Sequence, residues 1–167
     1  SDRAHPTKCQ RPIASGELTV GIAVAAAVAA EVLALALGLA LGRWFLTVLV
    51  GYVLLTALYS VSLKELVFVD VLVVAAGFVL RVVGGAVALP APVSHWLLMC
   101  AFLLALYLAL GKRRSELVLL GGSAGAHRAV LGHYTLDLVD QAISVVLGAT
   151  VVAYTLYTVA PDTVRRV

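Results

Sequence analysis

One carboxylate and three permanent cations, Asp2, Arg3, Lys8 and Arg11, fall within the first eleven residues of an otherwise strongly apolar chain. Arginine grips a phosphate through two parallel hydrogen bonds, and lysine meets it as a point charge. Aspartate offers a hard oxygen to a divalent cation, and Mg2+ characteristically takes one or two carboxylates together with substrate phosphate oxygens. The cluster has the chemistry of a diphosphate–Mg2+ site, with Asp2 on the metal and Arg3, Lys8 and Arg11 on phosphate. A second reading fits equally: basic side chains anchor the end of a membrane helix at headgroup level. In either case Pro12 fixes the turn before the first apolar run. His5, next to Pro6, reads as a loop residue rather than a base.

Three further ionisable residues lie inside apolar segments, where charge is costly and marks function by default. Asp70, Gly77 and Arg81 are separated by seven and four residues. At 100° per residue all three fall within about 20° of one helical face. Asp70 and Arg81 are about 16 Å apart along the axis, too far to pair. The face reads as a polar stripe toward a cavity, with Gly77 admitting a close neighbour. Glu31 reads as a structural polar contact facing a bundle interior. Asp137 and Asp140 share a face at the start of the last apolar run and read as helix N-terminal caps, with a metal pair as the alternative. His127, Arg128, His133 and Tyr134 read as a solvated amphipathic helix, with lipid headgroup contact as the alternative. His95 and Trp96 fit an interfacial anchor.

The elements that must position these residues follow from composition. The 167 residues are 62% hydrophobic and 13% charged, with a mean hydropathy of +1.06. A soluble domain carries about 25% charged residues, so a water-soluble enzyme is excluded and a bundle of membrane helices is expected. Five spans are predicted, at Leu18–Leu41, Trp44–Ser62, Leu66–Leu89, Trp96–Gly111 and Leu138–Ala160, in a single membrane domain over 1–167. The fourth is short and is expected to be extended by flanking residues. The connectors at 42–43 and 63–65 are tight, and "PAPVSH" at 90–95 is a turn. The "GLALG" at 38–42 matches a small-residue packing motif. Lys112 to Asp137 forms a long connector whose flanks read as short helices. Cys9 and Cys100 have neither metal spacing nor a disulfide pattern.

Basic residues orient the bundle. With the opening segment inside, the inner connectors hold Arg3, Lys8, Arg11, Lys64, Lys112, Arg113, Arg114 and Arg128. The outer ones hold Arg43, Arg165 and Arg166. This imbalance favours a cytoplasmic opening segment. It brings residues 1–17, 59–65 and 112–136 to one face as cytoplasmic substrate-site loops in an inner, plasma membrane. A lipid bilayer is the expected surroundings, a homo-oligomer is compatible with the sequence, and no nucleic-acid partner is expected.

These residues carry a family resemblance. "DRAHPTKCQRPIASG" resembles the end of the first aspartate-rich motif of the UbiA superfamily of intramembrane transferases. It is most similar to the decaprenyl-phosphate phosphoribosyltransferase branch, where the motif continues D-R-x-H-P-x-K-x-x-R-P-I-A-x-G. Asp2, Arg3, His5, Pro6, Lys8, Arg11, Pro12, Ile13, Ala14 and Gly16 match it. Tyr59, Leu63 and Lys64 fit a Y-x-x-x-L-K element, Asp70, Gly77, Phe78, Leu80 and Arg81 fit the next segment, and Lys112, Arg113 and Glu116 fit a K-R-x-x-E-L loop.

The resemblance implies an all-α bundle of about nine helices, of which five are here. It implies Mg2+-dependent transfer of 5-phosphoribose from phosphoribosyl pyrophosphate to a polyprenyl (decaprenyl) phosphate, supplying a precursor of cell-wall arabinan and so of arabinogalactan. It gives catalytic duty to Asp2, Lys64 and Asp70, the metal to Asp2, and substrate contacts to Arg3, Lys8, Arg11, Tyr59, Arg81, Lys112, Arg113 and Glu116. It also implies an Asn-Asp-x-x-Asp ahead of Asp2 and helices at both ends, so the expectation is of a partial chain, inactive alone. Met99 as the only methionine fits that expectation. Two other classes remain. An aromatic prenyltransferase using a prenyl diphosphate would carry a second D-x-x-x-D, which the 112–116 stretch lacks. A non-catalytic membrane protein would show no Mg2+-dependent binding of phosphoribosyl pyrophosphate.

Overall fold

A computed structural model describes residue 10, residues 12–120 and residues 134–164. Among the described residues there are helices and no strands. They run α1 (Pro12–Ser15), α2 (Val20–Leu41), α3 (Arg43–Val61), a 3-10 turn at Leu63–Glu65, α4 (Val69–Ala88), α5 (His95–Leu120), α6 (Leu136–Val159) and α7 (Pro161–Val164). Five of them, α2 to α6, are long and apolar enough to cross a membrane. The chain is an integral membrane protein of the all-α class. Helices are what the physics allows here, because each backbone N–H and C=O in hydrocarbon must find its partner within its own segment.

The chain divides into two compact units, 1–46 and 47–167. In the first, Thr19 opens α2 in extended backbone, and its hydroxyl accepts from the Ile22 N–H at 3.4 Å. Gly42, at φ 109°, ends the helix, and α3 begins at the next residue. That φ is one a side chain rarely adopts, so Gly42 serves to turn the chain; Gly38 is the buried residue of α2. Glu31 is exposed among the described residues.

The second unit holds the packed core of the described residues. Here α4 packs on α5, and α5 packs on α6. Lipid tails are as apolar as leucine, so apolar burial alone does little to drive helices together in a membrane; close approach and polar bonds do more. Small residues accordingly lie buried on all three helices: Ala75, Gly77 and Gly84 on α4, Ala105 and Ala109 on α5, and Ala153 on α6. Val71 and Leu110 form one core with Ala109, and Leu117, Tyr134 and Val139 form another. Phe68 and Ile143 pack against both.

The fourth span is extended, as expected, but further than a few residues: α5 does not stop near Gly111 but runs on to Leu120, so that the first flank of the expected connector, with Lys112, Arg113, Arg114 and Glu116, continues the span. Hydropathy falls at these charges while the backbone pattern does not. Ser94 opens α5, its hydroxyl accepting from the Trp96 N–H at 3.3 Å. The cap of α6 is Thr135, whose Oγ1 accepts from the Leu138 N–H at 3.2 Å, in place of the expected Asp137 and Asp140. Loss of an N-cap hydroxyl costs about 1 kcal/mol. Thr135→Ala is expected to lower the thermal midpoint of the detergent-purified protein, and Thr135→Ser to keep it.

Candidate functional site

At the start of α4 a carboxylate is buried completely. Asp70 is 0% exposed, and both its oxygens accept hydrogen bonds. Arg113 Nε donates to Oδ2 at 2.6 Å, from α5. The Tyr134 hydroxyl donates to Oδ1 at 2.8 Å, from just ahead of α6. Arg113 is itself 3% exposed, and its planar fork is spread over three partners. Besides Asp70, Nη1 donates to Glu116 Oε2 at 3.0 Å, and Nη2 to the Tyr59 hydroxyl on α3 at 3.5 Å. The network gathers α3, α4, α5 and the entry to α6 at one end of the second unit. Asp70 in the first turn of α4 also gains from the positive end of that helix.

The Tyr134 hydroxyl accepts as well, from the Phe68 N–H at 2.7 Å. The two rings meet edge to face, with centroids 5.4 Å apart. Burial first, and the hydrogen bond to Asp70 next, push the Tyr134 phenol above its ordinary value. The native state therefore holds this proton more tightly than the unfolded chain. That stabilisation is fully present below the ordinary phenol value of about 10, and is lost as pH rises through the raised one. Tyr134 is thus a buried anchor, in place of the solvated position expected of this residue.

A second polar feature lies lower on α4. Tyr52, Tyr59, Gly77, Phe78 and Arg81 line a cleft of about 140 Å³ between α3 and α4. The Arg81 guanidinium donates to the Tyr52 hydroxyl and lies over two rings, 5.0 Å from the centroid of Tyr52 and 4.9 Å from that of Phe78. Gly77 faces Tyr52: a Cβ there would stand 3.6 Å from its Cε2. The predicted stripe therefore divides. Gly77 and Arg81 face the cleft, while Asp70 turns to α5 and does not line it. The chain reverses through a sharp turn just before Asp70, and Arg113 offers it a stronger partner than the cleft does. Tyr59 joins the two regions, lining the cleft and accepting from Arg113.

Of the other expected site residues, Lys64 is half-buried in the 3-10 turn, Lys112 is exposed near the end of α5, and Glu116 is half-buried beside Arg113. Arg113 is buried against protein acceptors, which does not suit a direct phosphate ligand. Arg114 pairs instead with Asp140, Nε to Oδ1 at 2.6 Å and Nη2 to Oδ2 at 3.3 Å. Asp2, Arg3, Lys8, Arg11, His5, His127, Arg128 and His133 lie outside the described residues. The sequence does not single out Tyr52, and it suggests a solvated or headgroup-facing Tyr134 rather than a buried one. Tyr52 was within reach, since it precedes Tyr59 by seven residues and so shares its helical face. Tyr134 carries no periodic signal.

Among the described residues no group of three His, Cys, Asp or Glu side chains could hold a metal ion. Asp70 has given both oxygens to Arg113 and Tyr134, and Glu116 has engaged one with Arg113. These residues do not form a metal centre.

The second unit is thus a helical membrane bundle with a buried Arg113 next to an exposed Lys112. The chain belongs to the UbiA prenyltransferase family, whose model matches residues 1–160. It is 32% identical over 167 residues to a decaprenyl-phosphate phosphoribosyltransferase of Mycolicibacterium smegmatis, covering 97% of this chain and 51% of that protein. It is 35% identical over 159 residues to the protein of that name from Corynebacterium glutamicum, covering 94% and 48%. The Mycobacterium tuberculosis protein of that name is 33% identical over 167 residues, covering 97% and 54%. The chain spans about half the length of the curated relatives it matches.

Two ion pairs in this unit should behave oppositely. Removing one partner of a buried pair strands a charge and costs about 3–5 kcal/mol, so Asp70→Asn is expected to lower the unfolding midpoint steeply. Asp140→Asn, which breaks an exposed pair, is expected to leave it nearly unchanged. Thermal unfolding of both variants in detergent checks the contrast.

Proposed function

We propose that this protein takes part in transferring 5-phosphoribose from phosphoribosyl pyrophosphate to a polyprenyl phosphate. The reading is supported by the shared name of the relatives and by the motif order from Asp2 to Glu116. The single structural observation that carries it is the buried Arg113, which holds Glu116 on α5 and Tyr59 on α3 beside the residue where Lys112 is exposed.

In this reaction the bond from ribose C1 to the pyrophosphate oxygen breaks, and pyrophosphate departs with the electron pair. An oxygen of the lipid phosphate forms the new bond to C1. That oxygen is already an anion, so no strong base is needed. The work left to the protein is to hold two anions together and to stabilise charge on the leaving group. Lys112 and Lys64 would contact phosphate, joined by Arg3, Lys8 and Arg11. Glu116 and Tyr59 would orient ribose hydroxyls, and Arg81 would line the path of the lipid. Mg2+ belongs to the same proposal, with Asp2 and diphosphate oxygens as ligands. The site would open to the cytoplasmic side of the plasma membrane, as the basic residues indicate. The product would feed arabinan synthesis.

Membranes containing the protein expressed from its own gene, given labelled phosphoribosyl pyrophosphate, Mg2+ and polyprenyl phosphate, are expected to form labelled lipid. Chelation should abolish it, and Lys112→Ala should slow it about tenfold or more, the scale of losing one charge-stabilising group. No labelled lipid from the wild type overturns the reading. Label that enters an aromatic acceptor from a prenyl diphosphate would assign the protein to the aromatic prenyltransferases instead.

A further inference from the structure

The backbone just ahead of α4 is strained. Phe68 has φ 62° and ψ −34°, a conformation that side chains rarely adopt. The Val69 N–H donates to the Val67 carbonyl at 2.8 Å, closing a three-residue turn around it. This is the γ-turn of positive φ, the rarer and strained form. Strain of this kind persists only where the surroundings over-determine it, and it gathers at functional sites. Phe68 has no side-chain cap for the helix that follows. What holds it is Tyr134, through the hydrogen bond to its N–H and the edge-to-face ring contact.

The same hydroxyl then donates to Asp70, two residues on. One oxygen thus clamps the turn and the carboxylate together. The carboxylate in turn fixes Arg113 Nε, and the rigid plane of the guanidinium passes that orientation to Glu116 and Tyr59. The order is Phe68 N–H, Tyr134, Asp70, Arg113, then Glu116 and Tyr59. Polar chains that are satisfied at every link strengthen one another and specify one arrangement.

We infer that Tyr134 is a positioning residue: its hydroxyl latches the strained start of α4 to Asp70 and thereby sets the orientation of Arg113, and through it of Glu116 and Tyr59. Its role in turnover rests on the transferase reading given above; its role in holding α4 does not. Tyr134 touches no substrate in this scheme. It acts on rate through the geometry of the groups that do.

Tyr134→Phe tests this, since it keeps the ring and removes both hydrogen bonds. Amide hydrogen exchange at Phe68 to Leu72 is expected to accelerate in the detergent-purified full-length variant, while exchange in α2 stays unchanged. In membranes, kcat per folded protein is expected to fall about tenfold, the lower end of the effect of removing a group that orients a site residue, with KM for phosphoribosyl pyrophosphate within twofold. Combined with Arg113→Lys, which cannot fork to three partners, the double variant is expected to be no slower than Arg113→Lys alone, as links of one chain are non-additive. Unchanged exchange at the start of α4 overturns the latch. Accelerated exchange with unchanged kcat, or losses that multiply in the double variant, overturns the positioning role. A wild type that makes no labelled lipid overturns the transferase reading instead, and the latch then stands or falls on the exchange result.

Discussion

A charge taken out of water is stable only with a partner, and one ion pair sets most of what the second unit looks like. Asp70 and Arg113 are 43 residues apart in sequence and joined at 2.6 Å. Neither could be buried alone, because the effective cost of desolvating an isolated ion is several kcal/mol. Their union therefore demands that α4 and α5 meet at one depth and in one rotation. The fork of Arg113 then recruits Glu116 and Tyr59, and the second oxygen of Asp70 recruits Tyr134. Among the described residues no buried side-chain nitrogen or oxygen lacks a hydrogen-bond partner. In a bundle where apolar contact gives little preference for one helix arrangement over another, this polar cluster specifies the arrangement.

The three basic residues at the end of α5 show how one triplet can divide its labour. Lys112 is exposed, Arg113 is buried against acids and a tyrosine, and Arg114 reaches sideways to Asp140 on α6. Successive residues on a helix point about 100° apart, so a run of three like charges faces three different neighbours. Reading such a run as a uniform phosphate patch overlooks that rotation. The partners sort the residues: the arginine with two acids and a tyrosine has an anchoring role, the second arginine ties α5 to α6, and the lysine stays exposed.

Much of the fold was legible in the sequence. The positions of all five spans follow from apolar length alone, since hydrocarbon thickness and helical rise leave little choice. The charge-bearing end of α5 was not legible as helix, because hydropathy registers Lys112 to Glu116 as an exit from the membrane while the backbone continues unbroken. Helical phase placed Asp70, Gly77 and Arg81 on one face, but phase does not say which neighbour that face meets at each level. Asp70 found α5, and Gly77 with Arg81 found α3. Tyr134 was beyond reach for a different reason. Its partners lie 64 and 66 residues away, and a tyrosine next to a glycine-rich stretch carries no local mark of being buried.

The length of α5 has a consequence of its own. Its 26 residues make a rod of roughly 39 Å at 1.5 Å per residue, against a hydrocarbon layer about 30 Å thick. With His95 at one edge of that layer, Lys112 stands about 26 Å along the rod and Glu116 about 32 Å, so these charges lie at the far boundary of the hydrocarbon and residues 115–120 form the surplus. A stiff rod keeps its internal distances in any bilayer, while the depth of its charges follows membrane thickness and tilt. Thickening the bilayer draws Lys112 and Glu116 inward, and thinning it moves them out toward the headgroups.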